Sequence, residues 1–426
     1  MQFVSTRNGE PRVSLSEALT RGLAGDGGLF VPTEWPQLTA PPVQAQLPAI
    51  ALQLLEPFAA GDALQATLPD ITREAFDFPA PCVPLDTERN LHVLELFHGP
   101  TAAFKDFGAR FLAAALARLP HRGRLQILVA TSGDTGGAVA AAFFGRPGVE
   151  VAVLFPKGLV SATQERQLTC WGGNVRSFAV HGRFDDCQRL VKQAFTDPQL
   201  RARFELSSAN SINLGRLLPQ MVYYWATSFA LQRAQGRATS FVIPSGNLGN
   251  ATACVWARRL GAPIGHIVLA HNANRTVPDY LESGQLRPRE SVATLSSAMD
   301  VGHPSNLERL VALFGEARIP REALSAQSID DEATRQRIRA DFQRYGRIWC
   351  PHSAVAAEAH ARLPPALAAQ GPWVLVASAH PAKFREIVEP LIGRTVPMPE
   401  TLARLFERPS HCTEIDATLE ALARSL

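Results

Sequence analysis

The chain has 426 residues, enough for two or three domains and for a core that needs neither disulfides nor a structural metal. Hydrophobic residues make up 46% and charged residues 19%, which excludes wholesale disorder. A net charge of +3 provides no broad electrostatic footprint for nucleic acid or an anionic membrane, so a small molecule is the expected partner.

Eleven of the 32 prolines fall in the first 84 residues, so this part is built differently from the rest. It reads as a separate, mainly helical module. Residues 14–23 and 43–58 have helical apolar spacing, the turn-rich stretch 25–42 separates them, and Pro79, Pro81 and Pro84 mark the end. From Leu91 onward strands and helices alternate. Short apolar runs bounded by Gly, Pro or polar residues predict strands at 125–131, 149–155, 175–180, 240–243, 266–270 and 373–377. Helical patterns fall at 107–119, 136–144, 161–171, 184–195, 214–234 and 251–260, the third opened by a Ser161/Gln164 capping box. Such alternation predicts an α/β protein with doubly wound parallel sheets. The long helix 214–234 divides it into two lobes, so the expected domains are 1–84, 85–235, 236–395 and a tail 396–426. The six cysteines are scattered without C-x-x-C or zinc spacing and read as reduced thiols. The start of the chain lacks an apolar leader core and no run is long enough to span a bilayer, so a cytoplasmic location is expected.

In doubly wound folds ligands sit at the carboxyl ends of strands, which directs attention to the strand-to-helix loops. SGNLGN, residues 245–250, follows a strand and opens a helix. Its glycines would let backbone N–H groups close on an anion with the helix dipole behind them, although a Gly-rich tight turn has the same composition. It is neither a G-x-G-x-x-G fingerprint nor a Walker A loop, which counts against a nicotinamide or ATP site. SGDTGG, residues 132–137, offers Ser132, Asp134 and Thr135 beside free helix N–H groups. That is a cradle for a carboxylate or ring hydroxyl, or equally a set of helix caps.

The cations add a further signal, because only four are lysines, namely Lys105, Lys157, Lys192 and Lys383, against 38 arginines. Arginine cannot shed its proton in a protein, whereas a lysine amine can be neutral and nucleophilic. Lys105 lies between Phe104 and Phe107, where apolar surface would lower its proton affinity. For the other three the plain structural reading holds better: Lys192 reads as a solvated helix residue, and Lys157 in a turn and Lys383 at the start of the last α/β helix could each contact an anion, but neither has a matching cup. A Schiff-base lysine together with a phosphate cup is the pair of parts that pyridoxal phosphate requires.

Five strings in order, FHGPTAAFKDFGARF (97–111), SGDTGG (132–137), NSINLGR (210–216), PSGNLGN (244–250) and SAHPAKF (378–384), closely resemble the motifs of threonine synthases, fold type II pyridoxal-phosphate enzymes. EALTRGLAGDGGLFVP (17–32) is similar to the N-terminal module of their bacterial and fungal branch. The resemblance implies two α/β lobes, pyridoxal 5′-phosphate as cofactor, and conversion of O-phospho-L-homoserine and water to L-threonine and phosphate. It implies Lys105 as the Schiff-base lysine and Gly246, Asn247, Leu248, Gly249 and Asn250 as the cofactor phosphate loop. Ser378 would face the pyridine nitrogen where many relatives carry Thr, with Ser353 as a rival. Asp134, Ser132 and Thr135 would border the ring hydroxyl and the substrate carboxylate. Asn210 and Arg216 match the positions for the substrate phosphate, and the planar fork of Arg216 suits two phosphate oxygens. The oligomeric state is left open.

Overall fold

The computed structural model describes residues 1–121, 123–314 and 324–426. Among them two parallel-stranded sheets carry the architecture. The larger runs in the order Leu324–Ser328, Ile264–His271, Thr239–Pro244, Trp373–Ala377, Leu91–Glu95, Cys82–Asp86. All its neighbours are parallel except the last pair. Cys82–Asp86 carries Pro84 and lies at the edge, where a missing N–H costs the ladder least. The smaller sheet is wholly parallel and runs Thr413–Asp416, Val175–His181, Val149–Pro156, Leu125–Ala130, Glu205–Ser208. Helices cover the sheets, as continuous apolar parallel strands require.

The predicted strands and helices are present with ends shifted by a few residues, and the Ser161/Gln164 capping box forms. Three features differ from expectation. The pattern at 214–234 is not one helix: Pro219 has no N–H to give, so the helix Leu214–Leu217 passes through a 3₁₀ turn, Leu218–Gln220, before Met221–Gln235 begins. The contiguous division of the chain does not follow the sheets. Leu91–Glu95, assigned by sequence to the first lobe, pairs with Trp373–Ala377 in the other sheet. The expected tail sends Thr413–Asp416 back to pair with Val175–His181. Finally, the N-terminal module is not separate in its packing. It adds a two-stranded sheet, Phe3–Ser5 with Phe30–Pro32, and its Leu19, Leu54 and Phe58 belong to one apolar cluster with Phe107, Phe111 and Met221.

At the centre of that cluster lies the helix Lys105–Leu116. Its residues are buried on nearly every side rather than along one stripe, which is why its sequence is Ala-rich and apolar all round. Gly108 makes this burial possible, since a Cβ there would stand 2.6 Å from the carbonyl oxygen of Arg216. The helix and the Arg216 turn therefore touch backbone to backbone.

Candidate active site

Each functional stretch sits where a strand ends. Leu91–Glu95 runs into loop 97–104, which is pinned to the end of Trp373–Ala377: Phe104 N–H donates to Ser378 O at 2.8 Å and His380 N–H to Ala102 O at 3.0 Å. Ala102 has φ +53°, a left-handed conformation that costs energy in a residue with a Cβ and is held by this pairing. Lys105 follows as the first residue of its helix, its side chain 15% exposed and its Nζ 5.1 Å from the Phe104 ring centroid. Burial lowers its proton affinity most and Asp134 works against that, while Lys383 and Arg216 lower it further, bringing the pKa to about 8.

Leu125–Ala130 leads into the turn that Thr131 holds by accepting Gly133 N–H at 2.9 Å and Gly136 N–H at 2.8 Å. Asp134 opens the next helix, 3.8 Å from Lys105 Nζ through Oδ2. Its Oδ1 receives Lys383 Nζ at 2.8 Å and Gln164 Nε2 at 3.0 Å. Burial would raise the pKa of this carboxyl, but the cations of Lys383 and Lys105 outweigh it and keep the group ionised.

Thr239–Pro244 leads into loop 245–250. Among the described residues no protein acceptor pairs with the N–H groups of residues 246–251, so they form a donor cup. Gly246 is required there, because a Cβ would stand 2.8 Å from Met299 Cα, and Leu248 turns the cup at φ +62°. Asn250 is oriented by Tyr223 and Tyr224, whose hydroxyls donate to its Oδ1 at 2.6 and 2.9 Å, leaving Nδ2 buried without an acceptor.

Asn210 and Arg216 follow the strand Glu205–Ser208. Arg216 is 2% exposed, donates Nη1 to Ala209 O, and has no carboxylate within ion-pair distance among the described residues. Its Nε has no partner, and burial lowers its pKa to about 10. A buried guanidinium with a spare donor is suited to an anion.

All twelve site residues expected from the sequence line one cavity: Lys105, Ser132, Asp134, Thr135, Asn210, Arg216, Gly246, Asn247, Leu248, Gly249, Asn250 and Ser378. Ser353 is not among the lining residues, and its Oγ accepts the Ser378 N–H at 3.2 Å. Sequence reasoning missed His352, which also lines the cavity. Its Nε2 accepts Ala298 N–H at 3.1 Å and its Nδ1 is buried without a partner. Burial lowers its pKa to about 4, so it is neutral and carries its proton on Nδ1. It missed Lys383 as well, a side chain with no exposed surface. The scarcity of lysine was a signal for both buried lysines, and only Lys105 was followed to a site.

The donor cup, the orphaned Asn250 Nδ2 and the buried lysine of low proton affinity fit pyridoxal phosphate by the chemistry of their donors. Comparison with known proteins agrees. Residues 76–379 match the family model described as "Pyridoxal-phosphate dependent enzyme", residues 2–76 that described as "Threonine synthase N terminus" and residues 353–425 "Threonine synthase, C-terminal". The chain is 42% identical to threonine synthase of Haemophilus influenzae over 98% of its own length and 97% of the relative's. It superposes on the crystal structure of threonine synthase from Escherichia coli with a TM-score of 0.91 at 38% identity, covering 100% of this chain and 99% of that one. The PLP-bound threonine synthase from Brucella melitensis gives 0.90 at 36% identity, with coverage of 100% and 98%. Among the described residues no helix is long and apolar enough to cross a membrane. The chain therefore belongs to the threonine synthase family of pyridoxal-phosphate-dependent enzymes.

Proposed function

We propose that the chain converts O-phospho-L-homoserine and water to L-threonine and inorganic phosphate, using pyridoxal 5′-phosphate carried on Lys105. The observation that carries this reading is the presence of two separate anion sites in the cavity that holds Lys105. One is the donor cup at 245–250, the other the buried guanidinium of Arg216, which has no carboxylate within ion-pair distance among the described residues. A reaction that needs a phosphorylated cofactor and a phosphorylated substrate needs both.

When bound, the cofactor supplies an electron sink conjugated with the α carbon of the substrate. In this reading Gly246, Asn247, Leu248, Gly249 and Asn250 would hold its phosphate, Ser378 would serve the pyridine nitrogen as a neutral hydroxyl, and Asp134 would border the ring hydroxyl. Ser132 and Thr135 bind the substrate carboxylate through hydroxyls and helix N–H groups. Arg216, with Asn210 beside it, binds the γ phosphate and keeps it as the C–O bond breaks. Lys105 Nζ would take the α proton, give it up again and, neutral once more, take a β proton, for which a pKa of about 8 places it close to working pH. Water adds at the β carbon after phosphate has left, and the buried setting of Lys105 withholds water until then. A cytoplasmic setting, in which the six thiols stay reduced, goes with this assignment.

The test is product analysis. Purified chain supplied with O-phosphohomoserine is expected to release phosphate and threonine in equal amounts and to release no ammonia from added threonine. Ammonia release without phosphate would assign a β-eliminating activity instead.

A further inference from the structure

Two of the four lysines of this chain meet at a single buried carboxylate. Lys105 stands 3.8 Å from Asp134 Oδ2, a loose contact. Lys383 approaches Oδ1 from behind at 2.8 Å and donates to Thr101 O at 2.9 Å. It has no exposed surface and does not line the cavity, so it touches neither cofactor nor substrate. Taking an ammonium out of water costs several kcal/mol, and an apolar pair of the same volume is often no less stable than a buried ion pair. A chain that uses arginine almost everywhere else nevertheless keeps a lysine here. A single nitrogen can reach both Thr101 O and Asp134 Oδ1, whereas a planar guanidinium needs a wider berth.

We infer that Lys383 is a positioning residue: it neutralises Asp134 from the side away from the cavity, so that Lys105 Nζ is held near the carboxylate without being locked to it as an ammonium. The inference rests on the reading of Lys105 as the cofactor-bearing lysine. The groups that face Lys105 are Asp134, Lys383 behind it, Arg216, Cys350 and His352. Asp106, on the same helix, is turned away and accepts Thr101 N–H and Oγ1–H at 2.9 and 2.6 Å. Removing the Lys383 charge therefore leaves Asp134 as the one carboxylate close to Lys105, with its attraction no longer offset. It also removes a repelling cation. Both changes make Lys105 hold its proton more tightly.

With only four lysines, the full-length protein labelled with ¹³C at lysine Cε yields four signals, each assignable by a Lys→Arg replacement. The titration midpoint of Lys105 is expected to rise by about one unit or more in Lys383→Met, which cuts the neutral amine about tenfold at neutral pH. An unmoved midpoint in Lys383→Met overturns the inference, leaving Lys383 only a structural tie to Thr101. Should that variant not fold, Lys383→Met/Asp134→Asn carries the test. Because Asp134 acts on Lys105 more strongly than Lys383 does, removing both is expected to leave the midpoint unmoved or lower it, and a rise overturns the inference. Added pyridoxal phosphate should abolish the titration of the Lys105 signal alone. A response at another lysine instead would sink the reading of Lys105 and not the role of Lys383.

Discussion

At the scale of single residues, the site works by leaving polar atoms unsatisfied in a place water enters poorly. Lys105, Arg216 and Asn250 each cost stability on their own, a cost that anions bound at Arg216 and Asn250 would offset. The lowered proton affinity of Lys105 has a definite sign. Its nucleophilic neutral form grows as pH rises through about 8 and levels off above that, where an exposed lysine would still be climbing. The rate at which pyridoxal phosphate attaches to the cofactor-free protein, read from visible absorbance, is expected to follow that curve; a midpoint near the ordinary lysine value would contradict it. Replacing Arg216 with Met should leave the cofactor absorbance intact and lower kcat/KM for O-phosphohomoserine by about 10²-fold, the loss of charged hydrogen bonds worth about 3 kcal/mol. Loss of cofactor in this variant would instead place Arg216 on the wrong phosphate. The charged-residue census already singled out Lys105, but the role of Lys383 was illegible. Its string has the same appearance whether the lysine points to solvent or behind Asp134, and only the fold decides between them.

Elements matter through what they press together. Arg309 is fully buried and, among the described residues, has no carboxylate within ion-pair distance. It donates Nε to Phe30 O at 3.1 Å, Nη2 to Ile212 O at 2.7 Å and Nη1 to Asn306 Oδ1 at 2.7 Å. Asn306 in turn donates to Ser211 O and Asn247 O, at 3.2 and 3.0 Å. Asn306 and the helix Leu307–Phe314 that follows it thus clamp the N-terminal module, the stretch at Ser211 and Ile212 and the loop 245–250 at one point. Asn306→Ala should lower unfolding stability by about 1–3 kcal/mol in denaturant titrations and weaken cofactor retention with it. An unchanged midpoint would mean the clamp is redundant. Gly246→Ala makes a sharper case, since its Cβ would meet a backbone atom, Met299 Cα, at 2.8 Å. Reconstitution with pyridoxal phosphate is expected to fail or weaken by an order of magnitude or more, at an overpacking cost of about 1–3 kcal/mol. Normal cofactor affinity would refute the close fit. The composition of 245–250 announced a turn or a cup, and the choice between them depended on Met299, Asn306 and the tyrosine pair, all distant in sequence. Pro219, by contrast, was visible in the helical pattern it interrupts, and periodicity was followed in preference to it.

Across the whole molecule, the two sheets are stitched by segments that leave one part of the chain to pair in the other. Local apolar runs predicted the type of six strands, but pairing is a long-range choice, so the crossing of Leu91–Glu95 to Trp373–Ala377 could not be read from either run. That crossing has a functional consequence: it brings the loop before Lys105 against Ser378, and so sets the amine beside residues far along the chain. The smaller sheet contributes Asp134 and Arg216 and the larger one the donor cup, with the Lys105 helix buried between the two groups. The account therefore stands on one amine serving two anion sites. Its most direct test is to supply O-phosphohomoserine to the purified holoenzyme and to Lys105→Arg, measuring phosphate and threonine together. The holoenzyme is predicted to form both in a one-to-one ratio and the variant neither, since its guanidinium keeps the charge but cannot serve as a neutral amine. Threonine formed at an undiminished rate by Lys105→Arg would contradict it.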